Sequence, residues 1–351
     1  MNVVIAAAGL VSAGGLSLAE NAATTRSRLA CFREIAWLDR RFESFIVAGV
    51  PDDGLPPLSE ALVATRLPSR EVRTLRLAHA ALADLFAGLP SDLLAAPLLL
   101  GLSEHNTTQT LDPTGFLHNL ALQAGACFEL AGSIAAPRGR AAGLMALGRA
   151  TNCIASGQAD FMLVGGVDSL IDLYVLGALD RAERIRGEAV SDGFTPGEGA
   201  AFLLLASEAA ARDRGIRPLA RVAGSGSATE AGHLYSDEPY LGDGLAAAVG
   251  AALEAAALGT PIQTTCCSFN GERYWAREFG VTRIRNAEHF APDSRMEHPA
   301  ECFGDLGGAH GAALAALAAH GIANGYMGGP VLAYASSDRG DRAALVLDRT
   351  A

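Results

Sequence analysis

The sequence has no apolar run long enough to span a membrane, which argues against a bilayer-embedded protein. It has no basic excess either. Its 27 Lys+Arg face 38 Asp+Glu, for a formal net charge of −11, which argues against nucleic acid as a partner. Cysteine is sparse: Cys31, Cys127, Cys153, Cys266, Cys267 and Cys302 in 351 residues. That usage fits a reduced cytoplasmic protein and not a disulfide scaffold. The opening Met1–Leu10 stretch is apolar but lacks a basic region before it, so it reads as a buried strand and not as a signal peptide. No metal template is present. Cys266 and Cys267 with Cys302 and His298 or His310 match no zinc spacing, and vicinal cysteines do not easily ligate one tetrahedral ion. These thiols are expected to pack as small hydrophobes, with no metal and no cofactor.

What is present is apolar bulk. Half the residues are hydrophobic and 40 are glycine, enough for one large α/β unit or two half-domains. Short apolar runs alternate with helical patterns. Strands are expected at 3–8, 45–50, 97–102, 161–167, 200–205, 220–224, 262–265, 331–334 and 343–347. Helices are expected at 17–30, 72–87, 139–156, 245–258 and 307–320. Two of these helices, 139–156 and 307–320, are rich in Gly and Ala, and each feeds a buried strand. This order suggests two similar halves, 1–210 and 211–351, packed as one structural unit.

Three stretches carry a resemblance. Ala141–Ala150 leads to Ser156-Gly-Gln-Ala-Asp160 and the apolar 161–169 strand. Asp192-Gly-Phe-Thr-Pro-Gly-Glu-Gly-Ala-Ala201 follows, then Gly224-Ser-Gly-Ser-Ala-Thr-Glu-Ala-Gly-His233. Together they resemble the thiolase-fold β-ketoacyl synthases. The resemblance implies a five-layer αβαβα fold of two similar halves, and a dimer, expected here as a homodimer.

The chemical positions depart from that family. Its catalytic cysteine, at the start of a helix whose dipole lowers the thiol pKa, corresponds to Arg140. The first catalytic histidine is expected after the 262–265 strand, where the chain reads Cys266-Cys267-Ser268-Phe269-Asn270-Gly271-Glu272. The second falls on Asp305, in Gly304-Asp305-Leu306-Gly307-Gly308. The lysine expected upstream is missing near Ala300-Glu301, and the Gly-rich oxyanion loop is replaced by Ser336-Ser-Asp-Arg-Gly340. Arg140, Cys266, Cys267 and Asp305 are therefore read as degenerate active-site positions, with Glu272, His233 and Glu198 as pocket residues. Buried Arg140 needs a partner, and Asp305 or Glu272 is expected to supply it. His105, just past a strand end, is also placed like a site residue.

A narrower likeness lies in Asn270–Glu278 and His298–Gly308, which resemble thiolase-like proteins encoded beside type VI secretion effectors. Three functions follow as expectations. The first is a non-catalytic binding or adaptor protein, linked to effector loading. The second is an inactive, chain-length-factor-type partner of an active ketosynthase. The third is an acyl-transfer or hydrolytic enzyme with a relocated site using Glu272, Asp305 or a cysteine. A secretion effector, a ketosynthase or an acyl carrier protein would be the protein partner.

Overall fold

A computed structural model describes residues 1–350 except 91–94, 106–109 and 126. Its strands are β1 (Val3–Ser12), β2 (Arg33–Leu38), β3 (Ser44–Val47), β4 (Pro97–Leu102), β5 (Glu129–Pro137), β6 (Phe161–Ser169), β7 (Glu198–Ser207), β8 (Ala220–Thr229), β9 (Ile262–Cys267), β10 (Phe290–Glu297), β11 (Val331–Ser336) and β12 (Asp341–Asp348). Its helices are α1 (Leu18–Ser27), α2 (Glu60–Val63), α3 (Ser69–Phe86), α4 (Pro113–Gln123), α5 (Ala142–Ala155), α6 (Leu173–Arg181), α7 (Glu208–Asp213), α8 (Asp243–Ala256), α9 (Arg273–Arg285), α10 (Ala300–Phe303) and α11 (His310–Ala323).

The strand order shows the internal repeat directly. Ten strands run β10-β9-β11-β12-β8-β1-β7-β6-β4-β5, and β2–β3 form a separate hairpin. On one side β4 pairs parallel with β5 and β6, while β7 runs antiparallel to β6 and β1. On the other side β9 pairs parallel with β10 and β11, while β12 runs antiparallel to β11 and β8. The two five-stranded sets therefore share one topology. The two sheets expected from the sequence are joined edge to edge, because β1 also pairs with β8 over Val3–Ile5.

Burial follows from composition. β6 and β7 are apolar along nearly their whole length and are covered on both faces. One core forms between the sheets around α5 and α11, a second under α3 and α4, and a third under α8 and α9. These three cores define five layers. α11 is apolar on all sides, as suits a helix at the centre of a large protein. α5 and α11 cross closely because Gly143 has no side chain: a Cβ there would stand 2.6 Å from the Ala312 nitrogen. That close approach puts the N-terminal ends of both central helices, and the loops that feed them, in one place. No described helix is long and apolar enough to cross a membrane.

Candidate functional site

The entry to α5 is a 3-10 turn, Gly139–Ala141, and it delivers Arg140 into the interior. A cation is disfavoured at a helix N-terminus by the peptide dipoles, and burial raises the cost unless carboxylates surround it. Two do. Arg140 donates through Nε to Asp305 at 2.7 Å, with Nη2 2.6 Å from the same oxygen, and through Nη1 to Asp338 at 2.6 Å. Its guanidinium also lies 5.2 Å from the centre of the Trp275 ring. Asp305 comes from the turn before α11 and Asp338 from the β11–β12 turn, so the second half supplies the counter-charge to an arginine of the first.

A second arginine extends the cluster. Arg184, just after α6, donates to Asp338 at 2.5 Å through Nη1 and to both Glu272 oxygens at 2.7 and 2.8 Å. It also donates to the Tyr235 hydroxyl at 2.7 Å. Asn270 links the two ends, donating to Glu272 at 3.0 Å and to Asp305 at 2.9 Å. The chain contains no lysine, so every strong cation is a guanidinium, the side chain best shaped for such bidentate pairing.

The Asp305 and Glu272 carboxylates are both heavily hydrogen-bonded, each oxygen accepting at least one donor. An ionised carboxylate offers about four acceptor sites. Asp305 receives Arg140 twice, Asn270, and the Gly307 N–H at 2.9 Å. Glu272 receives Arg184 twice, Asn270, and the Trp275 indole N–H at 2.9 Å. Burial opposes ionisation of Asp305, but the Arg140 charge and His310 outweigh it and hold the carboxyl well below its usual range. Asp338 is likewise held low, with burial overcome by Arg140 and Arg184. The two guanidiniums are held above their ordinary range against the same burial, Arg140 by Asp305 and Asp338, Arg184 by Asp338 and Glu272.

Glu104, beyond the end of β4, clamps the same turn. Its two oxygens accept the Asp338 and Arg339 N–H groups, each at 3.1 Å. Gly139 makes room for it: φ there is +67°, and a Cβ would sit 2.8 Å from the Glu104 side chain. Burial, then the Asp338 charge, push the Glu104 carboxyl up to about 7. A raised carboxyl pKa means that the folded chain holds this proton more tightly than the unfolded chain. Its stabilisation is complete below the ordinary value of 4.5 and is lost as pH rises through about 7. The fall is on the order of 3 kcal/mol. Chemical denaturation of Glu104→Gln between pH 4.5 and 8 is expected to lack that fall, and an unchanged slope would contradict the assignment.

A cleft of 520 Å³ opens onto this cluster. Arg140, Glu104, Asp338 and His105 lie at its polar end, and α6 and Phe194 supply apolar walls. A larger groove of 690 Å³ runs along α5 beside β5, lined by Leu99, Ile134, Leu144 and Met145.

The residues expected at the site divide. Arg140, Asp305 and Glu272 meet in one cluster. Glu272, however, pairs with Arg184, which the sequence did not single out, and not with Arg140, while its chain neighbour Arg273 pairs with Asp192. Cys266 and Cys267 lie within β9, buried in separate cores on its two faces. Burial raises both thiols, Cys267 to about 12. His233 stays outside the cleft, its Nδ1 accepting the Tyr235 N–H at 3.3 Å. Glu198 accepts Arg73 (2.6 Å to Nη2), the Val50 N–H and the Ser169 hydroxyl, and so pins β7 to α3 in a separate recess. Asp338 and Glu104 fall in stretches marked by their sequence, the altered 336–340 loop and the end of a strand. Arg184 carried no signal. Among the described residues, no group of three or more His, Cys, Asp or Glu is placed to hold a metal ion.

Comparison with known proteins agrees with this architecture. Residues 128–211 match the family model for the beta-ketoacyl synthase N-terminal domain. The ishigamide ketosynthase/chain length factor structure superposes with a TM-score of 0.77 at 21% identity, covering 100% of this chain and 99% of that one. A ketosynthase in complex with its chain length factor from Xenorhabdus doucetiae gives 0.77 at 18%, covering 99% and 98%. A beta-ketoacyl synthase from Burkholderia phymatum gives 0.73 at 20%, covering 100% of both chains. The chain therefore has the thiolase-like fold of the β-ketoacyl synthases, with that family's sequence signature on residues 128–211.

Proposed function

We propose that this chain is a non-condensing ketosynthase-fold subunit that pairs with an active ketosynthase, as a chain length factor does. The observation that carries this reading is the occupant of the α5 entrance. Where the resemblance puts a nucleophilic cysteine, Arg140 is tied into a buried ion network with Asp305, Asp338, Arg184 and Glu272. A thioester cannot form on a guanidinium, and both histidine positions lack histidine. The buried cysteines and ion-paired carboxylates give no support to a relocated acyl-transfer or hydrolytic site.

The partner surface is supported by β5. Among the described residues it is the last strand of the sheet, pairs with β4 alone, and turns its other edge outward. An open edge is a template for another chain's strand. Leu130 and Ile134 stand 36% and 42% exposed on it, beside the groove along α5. Relatives described as ketosynthase/chain length factor pairs rank a ketosynthase partner above a secretion effector or a second copy of this chain. An acyl carrier protein would then serve the active partner.

Co-expression with a ketosynthase that retains cysteine and both histidines tests this. Native mass spectrometry is expected to give a one-to-one complex. A stable homodimer that excludes the ketosynthase would reject the reading in favour of self-association.

A further inference from the structure

The segment between α1 and β2 crosses α10, and two free cysteines meet at the crossing. The Cys31 N–H donates to the Cys302 carbonyl at 2.7 Å. Through standard N–Cα, Cα–C and C=O bond lengths, that contact caps the α-carbon separation at roughly 6.6 Å, within the upper limit of roughly 6.8 Å that a disulfide spans. Both thiols turn toward the same stretch: Cys31 Sγ lies 3.6 Å from the Leu29 carbonyl and Cys302 Sγ 3.9 Å from the Thr24 carbonyl. Cys31 is half-buried, and Cys302, though covered, lines a cleft of 290 Å³ with Arg26, Arg28 and Tyr326. A small thiol reagent can therefore reach Cys31, and Cys302 needs only to meet the Cys31 sulfur from inside.

We propose that Cys31 and Cys302 form a reversible disulfide, a redox lock tying the α1–β2 segment of the first half to α10 of the second. The oxidant is a small-molecule disulfide such as glutathione disulfide. The Cys31 thiolate attacks one glutathione sulfur, the glutathione S–S bond breaks, and one glutathione leaves as a thiolate that takes up a proton. The Cys302 thiolate then attacks the Cys31 sulfur and expels the second glutathione. Two protein thiols are oxidised and one glutathione disulfide is reduced to two thiols. Cys31 reacts first because it is the more accessible, whereas burial pushes the Cys302 thiol up to about 11. Exchange therefore quickens as pH rises toward the thiol range. The crosslink closes a loop over most of the chain, which constrains the unfolded state most strongly. It also fixes α10, whose end leads through Gly304 to Asp305.

The test uses the whole protein, glutathione disulfide as the probe, and non-reducing peptide mapping. The expected result is a mass loss of two hydrogens, a single Cys31–Cys302 linked peptide, and a Tm that rises and returns with dithiothreitol. Cys31→Ser is expected to form no internal disulfide while keeping the unoxidised Tm. A stable glutathione adduct left on Cys31, a crosslink between other cysteines, or thiols that react only after denaturation would each overturn the proposal. The wild-type map decides this even if the variant folds poorly.

Discussion

Asp305→Ala is expected to cost about 3–5 kcal/mol of folding stability, because it strands a buried guanidinium. Asp305 is 0% exposed and takes two of the three short contacts that Arg140 makes to carboxylates. Its loss leaves Arg140 with Asp338 alone, and Asp338 is already shared with Arg184. The Gly307 N–H at the entrance to α11 loses its acceptor as well. Urea unfolding near pH 7.5 measures the effect as a lower midpoint at unchanged slope. Removing both charges should hurt less than the single changes predict. Arg140→Leu with Asp305→Leu leaves Arg184 paired with Asp338 and Glu272, so the double variant is expected to recover much of the loss. A cost below about 1 kcal/mol for Asp305→Ala, the range of an exposed pair, would mean that the cluster is solvated and not locked.

Ile134→Arg is expected to weaken binding to a ketosynthase partner by roughly 30-fold or more without unfolding the chain. Ile134 is 42% exposed on an edge strand, so arginine there meets solvent in the free protein and little stability is lost. In a complex built on that edge, the same side chain would bring an unpaired charge into the interface. A central apolar anchor is worth about 2 kcal/mol or more, which corresponds to that factor in Kd. Titration calorimetry on the co-purified complex gives the number. Unchanged affinity would move the partner surface away from β5, and loss of the monomer's own Tm would make the effect a folding defect.

Central elements were legible in the sequence, and peripheral ones were not, for a physical reason. β4, β6, α5 and α11 lie between layers, so nearly every position is apolar or small and the pattern leaves little choice. β5, α9 and β10 lie at edges or on the outer surface. β5 buries little, α9 buries only Trp275, Glu278, Phe279 and Thr282, and β10 carries Pro292 and Asp293, so their periodicity is weak. The site divides the same way. Arg140 and Asp305 stood out because each broke a recognisable motif. Asp338 lay in a loop that differed from the family pattern but whose own role was open. Arg184 is one of two arginines in the loop between α6 and β7, with no motif around it, and only the fold brings it 154 residues along the chain to Asp338. Ion networks assembled from loops of both halves leave no local spacing to read.

The central claim is that Arg140 closes the position where acyl chemistry would begin. Intact-protein mass spectrometry after incubation with an acyl thioester, and separately with cerulenin, tests it most directly, with far-UV circular dichroism confirming that the protein is folded. The account predicts no covalent adduct from either reagent while an active ketosynthase in parallel is fully labelled. A stoichiometric adduct mapping to Cys266, Cys267 or Cys302 would contradict it and make this chain an enzyme with a relocated nucleophile.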